Sequence, residues 1–510
     1  MSDPKAPITV AELFAGVGGF RLGLERKGVA RKLKNRTRNK SFKVIWSNQY
    51  EPKTKKQHAS DIYVKHFNLV EDDSKEGVYR SSDKSEAHIN LDINEVIASE
   101  LPEHDLLVAG FPCQDYSVMR AISREIRDKD GTASSGEMGI RGPRGELWWE
   151  IERILQEKKP RMVLLENVPR LLSSPSLYKG KNFAIVVESL VTLGYVVEWR
   201  TINAADYSMP QSRNRVFIIA YNHIYFPQFS THTKAAGFSI DCEAWLRNEG
   251  PFAEAFPLDF VDCDATFVSA EMPADFNRKK SFFTNLGMAY PSESADQIIV
   301  SQIQGSKPKK AKLQPLQQII EKKISKENLA VYSIPLDEIS KWRYLKDMPR
   351  KEFRIKKDVR ANVSKNNLKL YDSLMLEPKL PPRQKMWDDN RDVFLQLVND
   401  GLAYRYDIGA MRFPDHLNDT SRTLVTSEGG KGASRTRHII VSKDSPSKFR
   451  RLMPVELERL NQFPDNWTSL DSGIPDTRRG FLMGNALVVG IVERLAGPIE
   501  RLIRRRGEAP

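Results

Sequence analysis

From Ile8 to about residue 194, apolar runs of strand length alternate with stretches of helical period. Residues 8–14 read as a first strand. Ala15-Gly16-Val17-Gly18-Gly19 reads as a glycine turn, and a helix opens at Phe20. Further strands are expected at 42–46, 105–110 and 162–165. Leu147, Ile151, Ile154 and Leu155 share one helical face, closed by Lys158, Lys159 and Pro160. A helix over about 183–193 ends at Gly194, a residue suited to a left-handed cap. Strands at 195–202 and 216–220 follow. This alternation predicts an α/β fold, a doubly wound and mostly parallel sheet covered by helices on both faces. In such sheets ligands and catalytic groups gather outside the carboxyl ends of the strands.

Beyond 221 the pattern becomes irregular, rich in Pro, Lys and Asp, with strongly basic segments at 306–324 and 351–366. The expected organisation is a catalytic domain over 1–221 and a smaller irregular domain over 222–449. A connecting helical region over 450–482 and a C-terminal helix over 483–510 would then return to the first domain. The net charge of +13, from 79 Lys and Arg against 66 Asp and Glu, favours a polyanionic partner. The N-terminus lacks a signal-peptide layout, and no run of consecutive apolar residues is long enough to cross a bilayer. No membrane association and a cytoplasmic location are expected. Cys113, Cys242 and Cys263 form no CxxC pair, so neither a metal site nor a disulfide framework is predicted.

Four clusters carry chemistry, each with a plainer alternative. The glycine turn at 16–19 would let backbone approach a ligand, or is only a tight turn. Phe111-Pro112-Cys113-Gln114 places a thiol at a strand's carboxyl end, where a thiolate could act as nucleophile, or is a buried structural cysteine. Glu166-Asn167-Val168-Pro169 offers a carboxylate as an acid, or a cap for the next helix. In Gln211-Ser212-Arg213-Asn214-Arg215, strand alternation would put Arg213 and Arg215 on one side, where they suit an anion or a base carbonyl; surface charge is the alternative.

The ordered set resembles the cytosine-5 DNA methyltransferase family. It comprises Glu12–Phe20, Gly110–Gln114, Glu166–Val168, Gln211–Arg215, Arg451–Glu456 with Arg459–Pro464, and Gly484–Val488. The resemblance covers about 12–220 and 450–490 and is closest to bacterial restriction-modification enzymes. It departs at Gln49, where many members carry Glu for the cofactor ribose, with Glu51 as a nearby rival. It departs again at Met453 and at Asn461-Gln462, where Gln-Gly is usual.

The resemblance implies the S-adenosylmethionine-dependent methyltransferase fold with a target-recognition domain. It implies methyl transfer to C5 of cytosine in a specific double-stranded DNA sequence, with the base flipped out. Cys113 would attack C6, Glu166 would bind N3 and the amino group, Arg213 would sit at O2, and Arg215 would support the loop. S-adenosylmethionine would meet Phe14, Gly16, Gly18, Gly19, Gln49, Tyr50, Asp92, Ile93, Pro112 and Asn485; an N-cap role is the alternative for Asp92. The segment Gln114–Gly145, rich in Gly and Arg, would close over the base. Base reading is expected from Arg422, Thr423, Leu424, Arg435 and Arg437. A monomer is expected, with a cognate restriction endonuclease acting on the same site without a stable complex. The rivals are an RNA cytosine methyltransferase, a DNA-binding protein with a decayed site, and a nucleotide-dependent oxidoreductase.

Overall fold

The computed structural model describes residues 6–25, 41–52, 54–111, 147–174, 178–229, 241–260, 265–276, 280–292, 297–309, 311–347, 350–355, 403–408 and 411–505. These fall into two compact units. The first takes Met1–Ile324, Leu417–Gly430 and Leu452–Pro510, and the second Ser325–His416 and Lys431–Arg451.

The first unit begins with β1 (Ile8–Leu13), α1 (Gly19–Glu25), β2 (Phe42–Asn48) and α2 (His58–Phe67). It continues through β3 (Val70–Glu71), β4 (Val78–Arg80), β5 (Ala87–Ile89), β6 (Leu106–Gly110), α3 (Leu147–Lys158) and β7 (Met162–Asn167). Then come α4 (Lys181–Thr192), β8 (Tyr195–Asn203), β9 (Asn214–Asn222), α5 (Pro251–Ala255), β10 (Leu258–Asp259), β11 (Thr266–Glu271), β12 (Leu286–Pro291), β13 (Ile298–Gln304) and β14 (Lys307–Pro308). Among the described residues, twelve strands make one sheet in the order β11-β13-β12-β8-β9-β7-β6-β1-β2-β5-β4-β3. Its central block, β7-β6-β1-β2-β5, is parallel, and the strands on both flanks are antiparallel.

Side-chain alternation builds a core on each face. Val10, Leu106 and Val108 join Phe20, Leu24 and the helix Val489–Arg504 on one side. Ala11, Leu13, Leu107 and Ala109 join Trp148, Ile151, Phe183 and Val187 on the other. This is the α/β architecture that the alternation predicts. The sheet does not stop at 221, however: β12 pairs with β8, and β13 and β11 extend it. Residues 222–324 therefore belong to the compact unit of the sheet. Antiparallel strands need no crossover helix, so no alternation marks them in the sequence.

In the second unit α6 (Lys326–Tyr332), α7 (Ile339–Asp347), and the antiparallel pairs β15 (Arg350–Ile355) with β16 (Ala403–Ile408) and β17 (Ile439–Val441) with β18 (Phe449–Arg451) are described. Ile334, Trp342 and Ile439 form its core, beside a buried ion pair in which Lys346 Nζ lies 2.8 Å from Asp415 Oδ2.

The chain then re-enters the first unit with α8 (Pro454–Leu460), α9 (Asp476–Asn485) and α10 (Val489–Arg504). The stretch Asp476–Arg504 meets the length and composition of a membrane span, by those two measures only. It is two helices, and 72% of its apolar window is buried inside the protein.

Candidate active site

Strand order reverses at β1, which is flanked by β2 on one side and β6 on the other. Such a switch point opens a crevice at the carboxyl ends of the strands. β1 leads there into Phe14, which takes the left-handed φ of 53°, followed by Gly16 at 56° and Gly18 at 84°. A bulky residue in that region is strained, and strain of this kind clusters at ligand sites. The three glycines differ in what they face. A Cβ on Gly18 would lie 2.6 Å from Phe67, and one on Gly19 3.1 Å from Leu487. One on Gly16 would meet nothing within 4 Å. Gly16 thus borders open space, Gly18 is held to glycine by its left-handed φ and the Phe67 ring, and Gly19 packs closely on Leu487.

The other carboxyl ends converge on the same edge. After β2, the Gly16 N–H donates to Gln49 Oε1 at 2.7 Å, and Tyr50 is 39% exposed. Glu51 is committed elsewhere: it is ion-paired with Arg478 and accepts the Ala59 N–H at 3.2 Å. After β5, Asp92 caps the short turn Ile93–Glu95 by accepting the Asn94 N–H, and Ile93 is buried. Asn485, ending α9, is exposed. An open glycine edge beside an exposed aromatic ring and main-chain polar groups fits a cofactor with a flat base and an amino-acid arm.

On the β6–β7–β9 side, Glu166 pairs across the sheet with Gly110 and sits 2.8 Å from Arg215 Nε. Asn167 Nδ2 donates to the Phe111 carbonyl at 3.1 Å, anchoring the start of the segment that carries Pro112 and Cys113. Pro112, Cys113 and Gln114–Gly145 lie outside the described residues.

β9 begins only at Asn214, so the strand alternation that would place Arg213 beside Arg215 does not extend back to Arg213. Its buried guanidinium donates to the Leu424 carbonyl at 3.2 Å and the Gly484 carbonyl at 2.9 Å. Burial, then the neighbouring positive charge of Arg215, lowers its pKa. The expectation that Arg213 reaches a base carbonyl does not match this placement.

The residues expected to read bases divide between the units. Arg422, Thr423 and Leu424 belong to the first unit. Leu424 is 1% exposed, its N–H donates to Gln211 Oε1 at 2.9 Å, and the Thr423 hydroxyl donates to the Ser212 carbonyl. Short polar side chains beside two glycines serve here as internal ties. In the second unit, Arg435 donates to the Leu345 carbonyl at 3.1 Å and Arg437 to that of Gly432. Gln211, named in its cluster but given no role there, has a fully buried amide that also donates to Asn461 Oδ1 at 2.6 Å. Sequence reasoning passed over Trp467, whose indole donates to the Val17 carbonyl in the glycine turn at 2.8 Å. The signal for Trp467 was a large aromatic just beyond the helix at 454.

The family model described as C-5 cytosine-specific DNA methylase matches residues 8–501. The chain is 36% identical to the Type II methyltransferase M.Sau3AI of Staphylococcus aureus, over 97% of this chain and 96% of that one. It is 30% identical to M.HhaI of Haemophilus parahaemolyticus over 42% of this chain and 48% of that one. Among solved structures, a Dnmt2 methyltransferase of S. pombe aligns over 97% of this chain and 98% of its own at 12% identity, with a TM-score of 0.49.

Proposed function

Because the chain belongs to the C-5 cytosine-specific DNA methylase family, and so is a DNA (cytosine-5)-methyltransferase, we propose that Cys113, Glu166 and Arg215 form its reacting centre. The supporting observation is the Glu166–Arg215 pair at 2.8 Å, on the strand ends beside the segment that leads through Phe111 to Cys113. Cytosine C5 is a poor nucleophile. Addition of the Cys113 thiolate to C6 makes C5 enamine-like, which divides one hard step into easier ones. Glu166 bonds N3 and the amino group and favours protonation at N3. Arg215, held by Glu166, is the arginine for O2, and Arg213 positions it from beneath. C5 takes the methyl group that S-adenosylmethionine supplies when bound. Loss of the C5 proton to water then breaks the Cys113–C6 bond.

The cofactor crevice in this reading runs from Phe14 and Gly16 to Tyr50, with Gln49, Asp92, Ile93, Pro112 and Asn485 at its borders. Gly18 and Gly19 shape the turn from behind. The target base is swung out of the duplex, because its C5 and C6 are otherwise enclosed in the stack. The second unit, with Arg435 and Arg437, recognises the DNA sequence. The enzyme works as a cytoplasmic monomer and protects DNA from a restriction endonuclease of the same specificity, without a stable complex.

Bisulfite sequencing of plasmid from cells expressing the chain should show one methylated sequence context. DNA carrying 5-fluorocytosine should trap the protein covalently, since fluorine blocks the final elimination. Cys113→Ser should abolish both methylation and trapping while DNA binding persists, because phosphate contacts lie apart from the thiol. Trapping that survives Cys113→Ser would remove Cys113 from the reaction.

A further inference from the structure

Helix α9 touches both sides of the site without reaching its centre. Near its start, Arg478 is ion-paired with Glu51, and the two side chains are 18% and 12% exposed. Glu51 follows Tyr50 directly and also caps α2 through the Ala59 N–H. At the far end of α9 the Gly484 carbonyl receives Arg213 at 2.9 Å, and the Met483 carbonyl receives Asn461 Nδ2 at 2.7 Å. Between these ends α9 lies directly on the backbone of 425–429: a Cβ on Gly480 would strike Gly429, and one on Gly484 would strike Thr426. Arg479 Nη2 holds the fully buried Glu458 of α8 at 2.8 Å. A helix tied this closely along its length moves as one piece.

We propose that α9 is a strut that holds the Tyr50 loop and Arg213 in register, with Arg478 and Glu51 as positioning residues for methyl transfer. This rests on the assignment of the crevice and the reacting centre above. Glu51 acts through Arg478 and does not touch the cofactor. A shift of α9 displaces the Gly484 carbonyl, and with it Arg213 and the start of β9 that carries Arg215. Breaking the Arg478–Glu51 pair therefore affects two properties: cofactor affinity at the Tyr50 loop, and turnover at the Arg215 end even when cofactor saturates.

The test is a double-mutant cycle on the full chain with Glu51→Gln, Arg478→Gln and both together. Calorimetry with S-adenosylhomocysteine, kcat at saturating cofactor and DNA, and Tm are the readouts. Each single variant should weaken S-adenosylhomocysteine binding and lower saturated kcat by about fivefold or more, and the double variant should be no worse than either. Arg478→Lys should recover part of both losses, and it carries the test if a Gln variant folds poorly. Saturated kcat unchanged in both single variants, or effects that multiply in the double variant, would overturn the strut. A loss of binding in Glu51→Gln with none in Arg478→Gln would also overturn it, and would put Glu51 on the cofactor itself. If the unaltered chain methylates no plasmid cytosine, the functional reading fails; the binding half of the cycle then decides the strut by the same coupling criterion.

Discussion

Arg213 and Arg215 stand two positions apart and do different work. Arg215 faces a carboxylate, and Arg213 faces two main-chain carbonyls. The same scale shows a carboxylate in an unusual state. Glu12, in the strand before the glycine turn, is fully buried. Complete desolvation pushes its pKa up to about 7, against the opposing Tyr63 hydroxyl, which donates at 2.9 Å, and the Arg21 charge. Arg21 cannot neutralise Glu12 alone, because Glu25 and Glu86 share it at 3.2 Å and 2.5 Å. His88, stacked on Tyr63, is lowered by burial to about 3 and stays neutral over the same range. A carboxyl group whose folded pKa lies above its ordinary 4.5 contributes full stability below that value. That contribution is lost as pH rises through about 7. Tm of the unaltered protein, relative to Glu12→Gln, should therefore fall between pH 4.5 and 7 and level off above. Parallel Tm profiles for the two proteins would refute a buried protonated Glu12.

At the scale of elements, α1 carries Gly23 in its interior, where glycine costs about 1 kcal/mol relative to alanine. The reason lies in α10, remote in the sequence. A Cβ on Gly23 would sit 2.6 Å from the Val492 Cβ of α10 and 3.1 Å from the Val489 carbonyl. Gly23→Ala should destabilise the fold by about 1–3 kcal/mol through overpacking, and Val492→Ala should recover part of that loss. Denaturant unfolding would measure both, and an unaffected midpoint in Gly23→Ala would show that the helices are not so closely apposed. The seven-residue α1 was legible from its apolar spacing, as were β1, β6, β7, α3 and α4. β11 was not: its mostly exposed Thr-Phe-Val-Ser-Ala-Glu lacks a clean alternation, and only its pairing with β13 makes it a strand.

At the scale of the whole molecule, the first compact unit takes 1–324, 417–430 and 452–510, and the second takes 325–416 and 431–451. β12 is hydrogen-bonded to β8, and Leu424 is bonded to Gln211 and Arg213, so 286–304 and 417–430 lie in the compact unit of the sheet. Exchanging 325–416 and 431–451 for the matching parts of a relative with another target, while keeping 417–430, should yield an active enzyme with the donor's methylation pattern. Exchanging 222–445 as one block should abolish activity, because it removes the strands beside β8 and the carbonyl under Arg213. An active first chimera that kept the original target by bisulfite sequencing would place recognition outside the second unit.

The sequence by itself determined the parallel centre of the sheet, the ordered clusters at its strand ends and hence the family. Those features are local: period, turn chemistry and residue order survive in one dimension. Tertiary structure alone decided that the Arg213 guanidinium is tied to main-chain carbonyls, that Glu51 is bound to Arg478, and that Gly18 abuts the Phe67 ring while Gly16 borders open space. Each of these depends on a partner outside the residue's own stretch of chain. An arginine, a glutamate or a glycine looks the same in sequence whether it meets a ligand, a carbonyl or a neighbouring ring. Only burial and distance separate those outcomes, and both are set when remote segments such as β9, 424 and α9 come together.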